Sequence, residues 1–250
     1  MLRVAAEIKG SDIIAKDGEI GSVTDLYFDD ERWTVRYLTA FTGGWMSGRR
    51  VLLSPFAVVA VDWSEHQVTV NLTRDQVQNA PSIDEAAPVS RQYERSYLGY
   101  YGWPAYWGGM YAWGAWSVPA LPDDRPRAEG GESTEEDDDG DTHLRSVKEV
   151  TGYHIHATDD AIGHVEDFII DDGSWEVRYL VVDTSNWWFG KRVLIAPAWV
   201  TNVEWLDRRV HVNLLRAQVK AAPEFDPSMP ISRAYEERLY EFYGRSPYWM

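Results

Sequence analysis

The chain contains no cysteine, which excludes disulfides, thiolate catalysis and zinc or iron-sulfur sites held by sulfur. Positive charge is scarce: 24 Lys and Arg against 40 Asp and Glu leave a formal charge of -16 over 250 residues, with the six His neutral. Such a balance lacks the excess of cations that sequence-independent binding to nucleic acid phosphates needs, so no nucleic acid partner is expected. Long apolar runs are missing too. Glu7 and Lys9 interrupt the N-terminal stretch, so it has no secretory-signal core, and a cytoplasmic location is the default expectation. The longest uncharged stretch, Ser96 to Pro122, is broken by Gly99, Gly102, Pro104, Gly108, Gly109, Gly114 and Pro119, and its bulk is Tyr and Trp rather than the aliphatic residues of a membrane span. No phosphate loop, dinucleotide fingerprint or His-Glu-x-x-His motif is present, and in Gly44-Trp45-Met46-Ser47-Gly48 the Ser stands one place off a nucleophile elbow. The expectation is a protein without enzymatic activity and without a cofactor.

What is present is aromatic bulk and a repeat. Thirteen Trp and 44% apolar residues supply the material for a packed core, and the length suits one large domain or two small ones. Sliding the sequence by 142 positions lays Leu2 on Leu144 and continues without a gap to Trp107 on Trp249, with roughly 46 identities over 106 positions. The expected organisation is a first repeat over 1–107, a flexible aromatic and acidic linker over 108–142, and a second repeat over 143–250. Charge is divided unevenly along it: each repeat carries -4, and the linker, with its run Glu135-Glu136-Asp137-Asp138-Asp139, carries -8. A block of like charge with few apolar residues cannot bury enough surface to offset chain entropy.

Within each repeat, short β-branched and aromatic runs alternate with period two between turn residues, the pattern of small antiparallel β structure. Asp29-Asp30-Glu31-Arg32 and Asp171-Asp172-Gly173-Ser174 read as hairpin connections, with Gly173 supplying positive φ. Further strands are expected near Arg50–Leu53, Val58–Trp63 and Val68–Leu72. Five or six such strands would remove their edges by closing into a barrel. Two short helices follow, Arg74 to Ala80 and Ser90 to Tyr101, the second capped by Ser90 and stopped by Gly102.

Several blocks carry a resemblance: Gly18 to Asp25, Asp29-Asp30, Trp33 to Leu38, Arg50 to Pro55, Val68 to Leu72 and Ala80-Pro81, all recurring at the offset of 142. In this order they resemble the PRC-barrel family, which includes the cytoplasmic domain of the photosynthetic reaction centre H subunit and the C-terminal domain of the ribosome maturation factor RimM. The resemblance implies a mainly β fold, two tandem small antiparallel β-barrels of SH3-like type, each followed by short C-terminal helices. It also implies a binding and scaffolding role, with a family link to photosynthetic electron transport. The H subunit's membrane helix and the N-terminal domain of RimM have no counterpart in the sequence, and none of the family's proton-delivery residues can be matched.

Candidate sites are few. His154, His156 and His164 of the second repeat, with His211 and Asp159 nearby, are the metal-binding candidates, since neutral imidazoles two apart on a strand share a face; the alternative is that they are structural or solvent-exposed. Arg36 and Arg178 lie mid-strand, where pairing with Asp25 or Asp167 is expected. Trp45, Arg49 and Arg50 in the first repeat, and Trp187, Trp188, Lys191 and Arg192 in the second, combine exposed aromatics with Arg in the manner of an interface hot spot. Plugging of a barrel end is the other role open to those Trp residues. Trp33, Trp63, Trp175 and Trp205 are expected in the core. The Tyr and Trp tails at 97–116 and 240–249 suit either a membrane interface, giving peripheral association on the cytoplasmic face, or the cover of a barrel, including a pseudo-dimer of the two repeats. The expected function is therefore a non-catalytic tandem adaptor or assembly protein with a protein partner. The alternatives are a metal-binding or enzymatic protein using the histidines, and a RimM-like helper of ribosome assembly.

Overall fold

A computed structural model describes residues 1–42, 49–81, 89–120, 143–184 and 190–250. The first repeat forms β1 (Leu2–Val4), α1 (Ala5–Ile8), β2 (Asp12–Ala15), β3 (Gly18–Asp29), β4 (Thr34–Phe41), β5 (Arg50–Leu53), β6 (Val58–Asp62), β7 (Gln67–Val70), α2 (Arg74–Gln78) and α3 (Arg91–Tyr101). The same series recurs as β8 (Leu144–Ser146), α4 (Val147–Val150), β9 (His154–His156), β10 (Ala161–Asp171), β11 (Val177–Asp183), β12 (Arg192–Ile195), β13 (Val200–Glu204), β14 (Arg209–Val212), α5 (Arg216–Ala221) and α6 (Arg233–Tyr243). Mainly β structure with short helices after each set of strands is as expected from the alternation. No helix among the described residues is long and apolar enough to cross a membrane.

The chain divides into two compact units, and neither is made from one repeat. The first unit comprises Glu7–Ser146 with Asp172–Glu176; the second comprises Met1–Ala6, Val147–Asp171 and Val177–Met250. The sheet of the first unit runs β5-β4-β3-β2-β7-β6, and β8 adds to it by pairing with β3. That of the second runs β12-β11-β10-β9-β14-β13, with β1 on β10. The reason lies in the length of the central strand. β3 pairs with β2 only over Gly18–Ser22, whereas its ladder to β4 continues to Asp29. Beyond the end of β2, the backbone of Tyr27–Asp29 has an edge to satisfy beside the fully buried Phe28. β8 fills it, with Tyr27 opposite Ser146, Phe28 opposite Arg145 and Asp29 opposite Leu144. β1 fills the matching edge of β10, Leu2 opposite Asp171, Arg3 opposite Ile170 and Val4 opposite Ile169.

Three expectations are corrected by this architecture. The described residues form open sheets, not closed barrels: β5 and β6 end the first ladder and are joined through a 3-10 turn, Pro55–Ala57. Pro55 has no N–H to donate, and the Ser54 hydroxyl accepts from Phe56 N, so the chain turns here instead of pairing. The sheets are also not wholly antiparallel, because β2 lies parallel to β7 and β9 parallel to β14. Finally, positive φ in the hairpins falls not on Gly173 but on Trp33 (51°), His66 (51°), Trp175 (61°) and Arg208 (52°), two pairs related by the repeat offset. Hairpins that end in one left-handed residue use it to restore register, and here a side chain takes that place at a modest strain cost.

The cores are aliphatic and aromatic in the same places. Ile20, Val23, Leu26 and Phe28 of β3 are buried, and their spacing breaks strict alternation because the register slips between Val23 and Asp25 and again between Tyr27 and Phe28. Of the Trp residues expected in the core, Trp175 is buried, whereas Trp33, Trp63 and Trp205 are half-buried in turns. The segment expected as a flexible linker over 108–142 also departs from expectation at its start. Residues 108–120 are placed within the first unit, where Trp113 is fully buried, because its aromatic bulk finds apolar surface to cover. The acidic run lies outside the described residues.

Glycine is required where β3 meets β4. A Cβ at Gly21 would lie 1.9 Å from Phe41 O, and one at Gly163 would lie 2.0 Å from Asp183 O. Gly163→Ala is expected to destabilise the second unit by roughly 1–3 kcal/mol through forced separation of two backbones, read as a lowered urea midpoint; an unchanged midpoint would contradict the close approach.

Candidate functional site

The densest polar chemistry lies where each long C-terminal helix meets its sheet. Ser90 starts α3 by accepting from Tyr93 N at 3.2 Å, and Gly102 ends it at φ 69°. The i, i+3, i+4 spacing turns Glu94, Tyr97 and Leu98 inward. Glu94 is completely buried. Its Oε1 accepts from the hydroxyls of Tyr37 (3.0 Å) and Tyr106 (2.7 Å), and its Oε2 from Arg91 (3.2 Å), with His143 Nε2 at 3.0 Å. Tyr106 arrives because the left-handed Gly102 reverses the chain after α3. A buried carboxylate is costly unless such donors surround it, and here they come from four separate stretches of sequence.

The second unit repeats the arrangement at the offset of 142. Glu236 Oε1 accepts from Tyr179 (2.8 Å) and Tyr248 (2.9 Å), and Oε2 pairs with Arg233 at 3.1 Å. The mid-strand arginines complete each cluster. Arg36, fully buried, donates from Nε to Asp29 Oδ2 at 2.5 Å and stacks on the Tyr106 ring at 3.8 Å. Arg178 stands 3.7 Å from Asp171 and 4.1 Å from the Tyr248 ring. The expected partners Asp25 and Asp167 are therefore replaced by Asp29 and Asp171. Asp25 is engaged instead by the Ser146 hydroxyl at 2.5 Å. Asp29 still serves the turn, accepting from Arg32 N at 2.6 Å.

The segment 108–120 packs within the first unit. Arg36 Nη1 donates to Ala112 O (2.5 Å), Arg32 donates to the carbonyls of Gly109 and Tyr111, and Trp113 Nε1 donates to Ser174 O (2.7 Å). Beside this plug runs a groove of about 390 Å³, walled by Pro55, Val58, Val61, Trp63, Val118 and Trp175. Val59 and Val118 on its rim are 61% and 42% exposed, and Trp63 is held by Nε1 donating to Asp172 Oδ2 at 3.0 Å. β6 is the end strand of the sheet, so the groove borders a sheet edge.

Of the interface residues chosen from sequence, Trp45, Trp187 and Trp188 lie outside the described residues. Arg49 O accepts from Thr42, Arg50 begins β5 opposite Phe41, and Lys191 Nζ donates to Ala222 O. Arg192 makes a bidentate pair with Glu166, both bonds 2.6 Å, which raises its already high pKa. Lys191 and Arg192 thus spend their charge on internal contacts.

The histidines gather on the outward face of β9 and its neighbours. His154 lies opposite His164, and His156 opposite His211, with the His156 and His211 rings 5.5 Å apart. His211 Nε2 is 3.2 Å from Glu204, and His164 Nε2 is 3.8 Å from Asp183. Partial burial, then His211 and Arg209, pull the His156 pKa down. Among the described residues, no group of three or more His, Asp or Glu is placed to hold a metal ion.

The PRC-barrel domain model matches residues 4–77 and 146–219, and the chain belongs to that family as a tandem member. A comparison with curated proteins finds no match.

The sequence reading missed the Glu94 and Glu236 clusters. Both glutamates sit four residues after a Ser cap and are identical between the repeats, as are Tyr37 and Tyr179, Tyr106 and Tyr248, so the internal comparison held the signal. Glu94→Gln is expected to cost about 2–4 kcal/mol, since an amide cannot accept from all its donors, and Glu236→Gln less, because Arg233 is half exposed; denaturant midpoints check the order. The tyrosines add a pH dependence. Burial raises Tyr93, Tyr235 and Tyr248 to about 12, and Tyr37, Tyr97 and Tyr106 well up. Unfolded tyrosine ionises near ~10. The folded state therefore holds protons that the unfolded state releases, and stability falls as pH climbs from about 10 towards 12. The phenolate absorbance contributed by these buried tyrosines is expected to rise together with loss of the sheet signal, not before it.

Proposed function

We propose that this chain is a non-catalytic adaptor that binds a protein partner through the apolar groove of its first unit. The observation that carries the reading is the combination of exposed Val59 and Val118 with Trp63 and Trp175 beside the end strand β6. An extended segment with alternating apolar side chains could pair its backbone with β6 and seat those side chains in the groove. The buried Glu94 and Glu236 clusters support the same reading, because their donors are committed to holding helix and tail against the sheet. A photosynthetic setting rests on the family resemblance alone.

The repeat supplies a control. Val59 corresponds to Thr201 of the second unit. A photo-crosslinking residue at position 59 is expected to capture a defined protein in native cells, and the same residue at 201 is not. Capture at 59 should be lost with Trp63→Ala. No adduct at 59, or equal adducts at both positions, would sink the assignment.

A further inference from the structure

Strand alternation gives the second unit a face of imidazoles. In β9 the order His-Ile-His sends Ile155 into the core, where it is fully buried, and turns His154 and His156 outward on the same side. β14 lies parallel to β9 and sets His211 opposite His156. β13 follows β14 in the sheet, and its Glu204 is opposite Arg209. Glu204 Oε2 stands 3.7 Å from Arg209 Nη1, and its Oε1 stands 3.2 Å from His211 Nε2. Two imidazoles and a carboxylate thus meet on three neighbouring strands. The corresponding residues of the first repeat are Ile14, Thr69 and Asp62, so that repeat offers an imidazole at neither position.

His211 Nε2 is shielded from solvent and makes no hydrogen bond among the described residues. A nitrogen in that state calls for a partner, and a cation satisfies both its lone pair and the charge of Glu204. The spacing of the rings fits the same partner. A transition metal ion lies about 2.0–2.1 Å from an imidazole nitrogen, hence about 3.2 Å from the ring centre, and two rings sharing one ion are at most about 6.4 Å apart. The ring centres of His156 and His211 are 5.5 Å apart, with 35° between their planes, which is within that reach. Burial, followed by His211, Arg209 and His154 and opposed by Glu204, pulls the His156 pKa down. Its ring is therefore neutral at neutral pH, the form that binds metal.

We infer that His156 and His211 together bind one divalent late transition metal ion, with Glu204 balancing its charge and water completing its shell. Imidazole suits copper, nickel and zinc alike, and with only two protein donors the choice among them follows intrinsic affinity, which places copper(II) above nickel(II) and zinc(II). The remaining positions stay open to water, unlike the closed four-ligand shell of a structural zinc site. The ion ties β9 to β14 through their side chains. The site lies in the second unit and shares no residue with the groove of the first.

The test uses the untagged full chain with its histidine rings labelled for NMR, titrated with copper(II) chloride near neutral pH and, in parallel, with the nickel(II) and zinc(II) salts. The first copper ion is expected to broaden the ring signals of His156 and His211 before those of the other four histidines, and its affinity to exceed that of nickel and zinc and to fall on acidification. His156→Asn and His211→Asn are each expected to weaken copper binding by about tenfold or more, the scale on which loss of a metal-site partner acts, while His154→Asn leaves it in place. Should a substituted chain fail to fold, the electron spin resonance spectrum of copper on the unaltered chain decides, with two coordinated imidazole nitrogens expected. Broadening that begins at His154 and His164, affinity that survives both single substitutions, or a spectrum with one imidazole nitrogen would each overturn the proposal.

Discussion

A carboxylate buried at the foot of each C-terminal helix organises both units. Glu94 and Glu236 would destabilise the fold if left unpaired, and their donors come from places far apart in the chain: a central strand (Tyr37, Tyr179), the helix itself (Arg91, Arg233) and the reversed tail (Tyr106, Tyr248). Satisfying the charge therefore fixes the angle of the helix, the path of the tail and the covering of the sheet together. Arg36 and Arg178 extend the arrangement, each joining an Asp at the end of the long strand to the tail tyrosine.

On this shared base the two units have diverged. The first places His143 on the buried carboxylate and the segment 108–120 over Arg36, with an apolar groove beside β6. The second has the simpler cluster and carries a face of histidines on β9, β10 and β14. The two repeats share one polar scaffold and differ in what each presents to solvent. The proposed partner site lies in the first unit, beside β6.

Much of this was legible in the sequence, and the legible part follows the local rules. Ser90 and Gly102 mark α3 because a hydroxyl satisfies helix-start N–H groups and glycine tolerates left-handed φ at its end. The offset of 142 predicted two equivalent β structures, and equivalence holds down to single hydrogen bonds. What failed was reasoning that depends on neighbours distant in the chain. Strand alternation alone pairs Arg36 with Asp25, but bulges at Val23–Asp25 and Tyr27–Phe28 shift the faces and bring Asp29 to it. Gly173 looked like the left-handed residue of its hairpin, yet the turn puts Trp175 there. Closure into a barrel was the economical way to remove edges; the chain instead turns at Pro55 and leaves β5 and β6 at the ends.

The sequence by itself determined the repeat, the strands, the helix caps and the family, because periodicity, capping and internal identity are local properties that survive without knowledge of neighbours. Only the tertiary structure decided which strand completes which sheet. Leu2–Val4 and Leu144–Ser146 are short segments with nearly the same sequence, so pattern alone does not say which edge each one fills. Their exchange between units follows from where the long strands leave backbone groups unpaired, a demand set by three-dimensional register and not by composition or pattern.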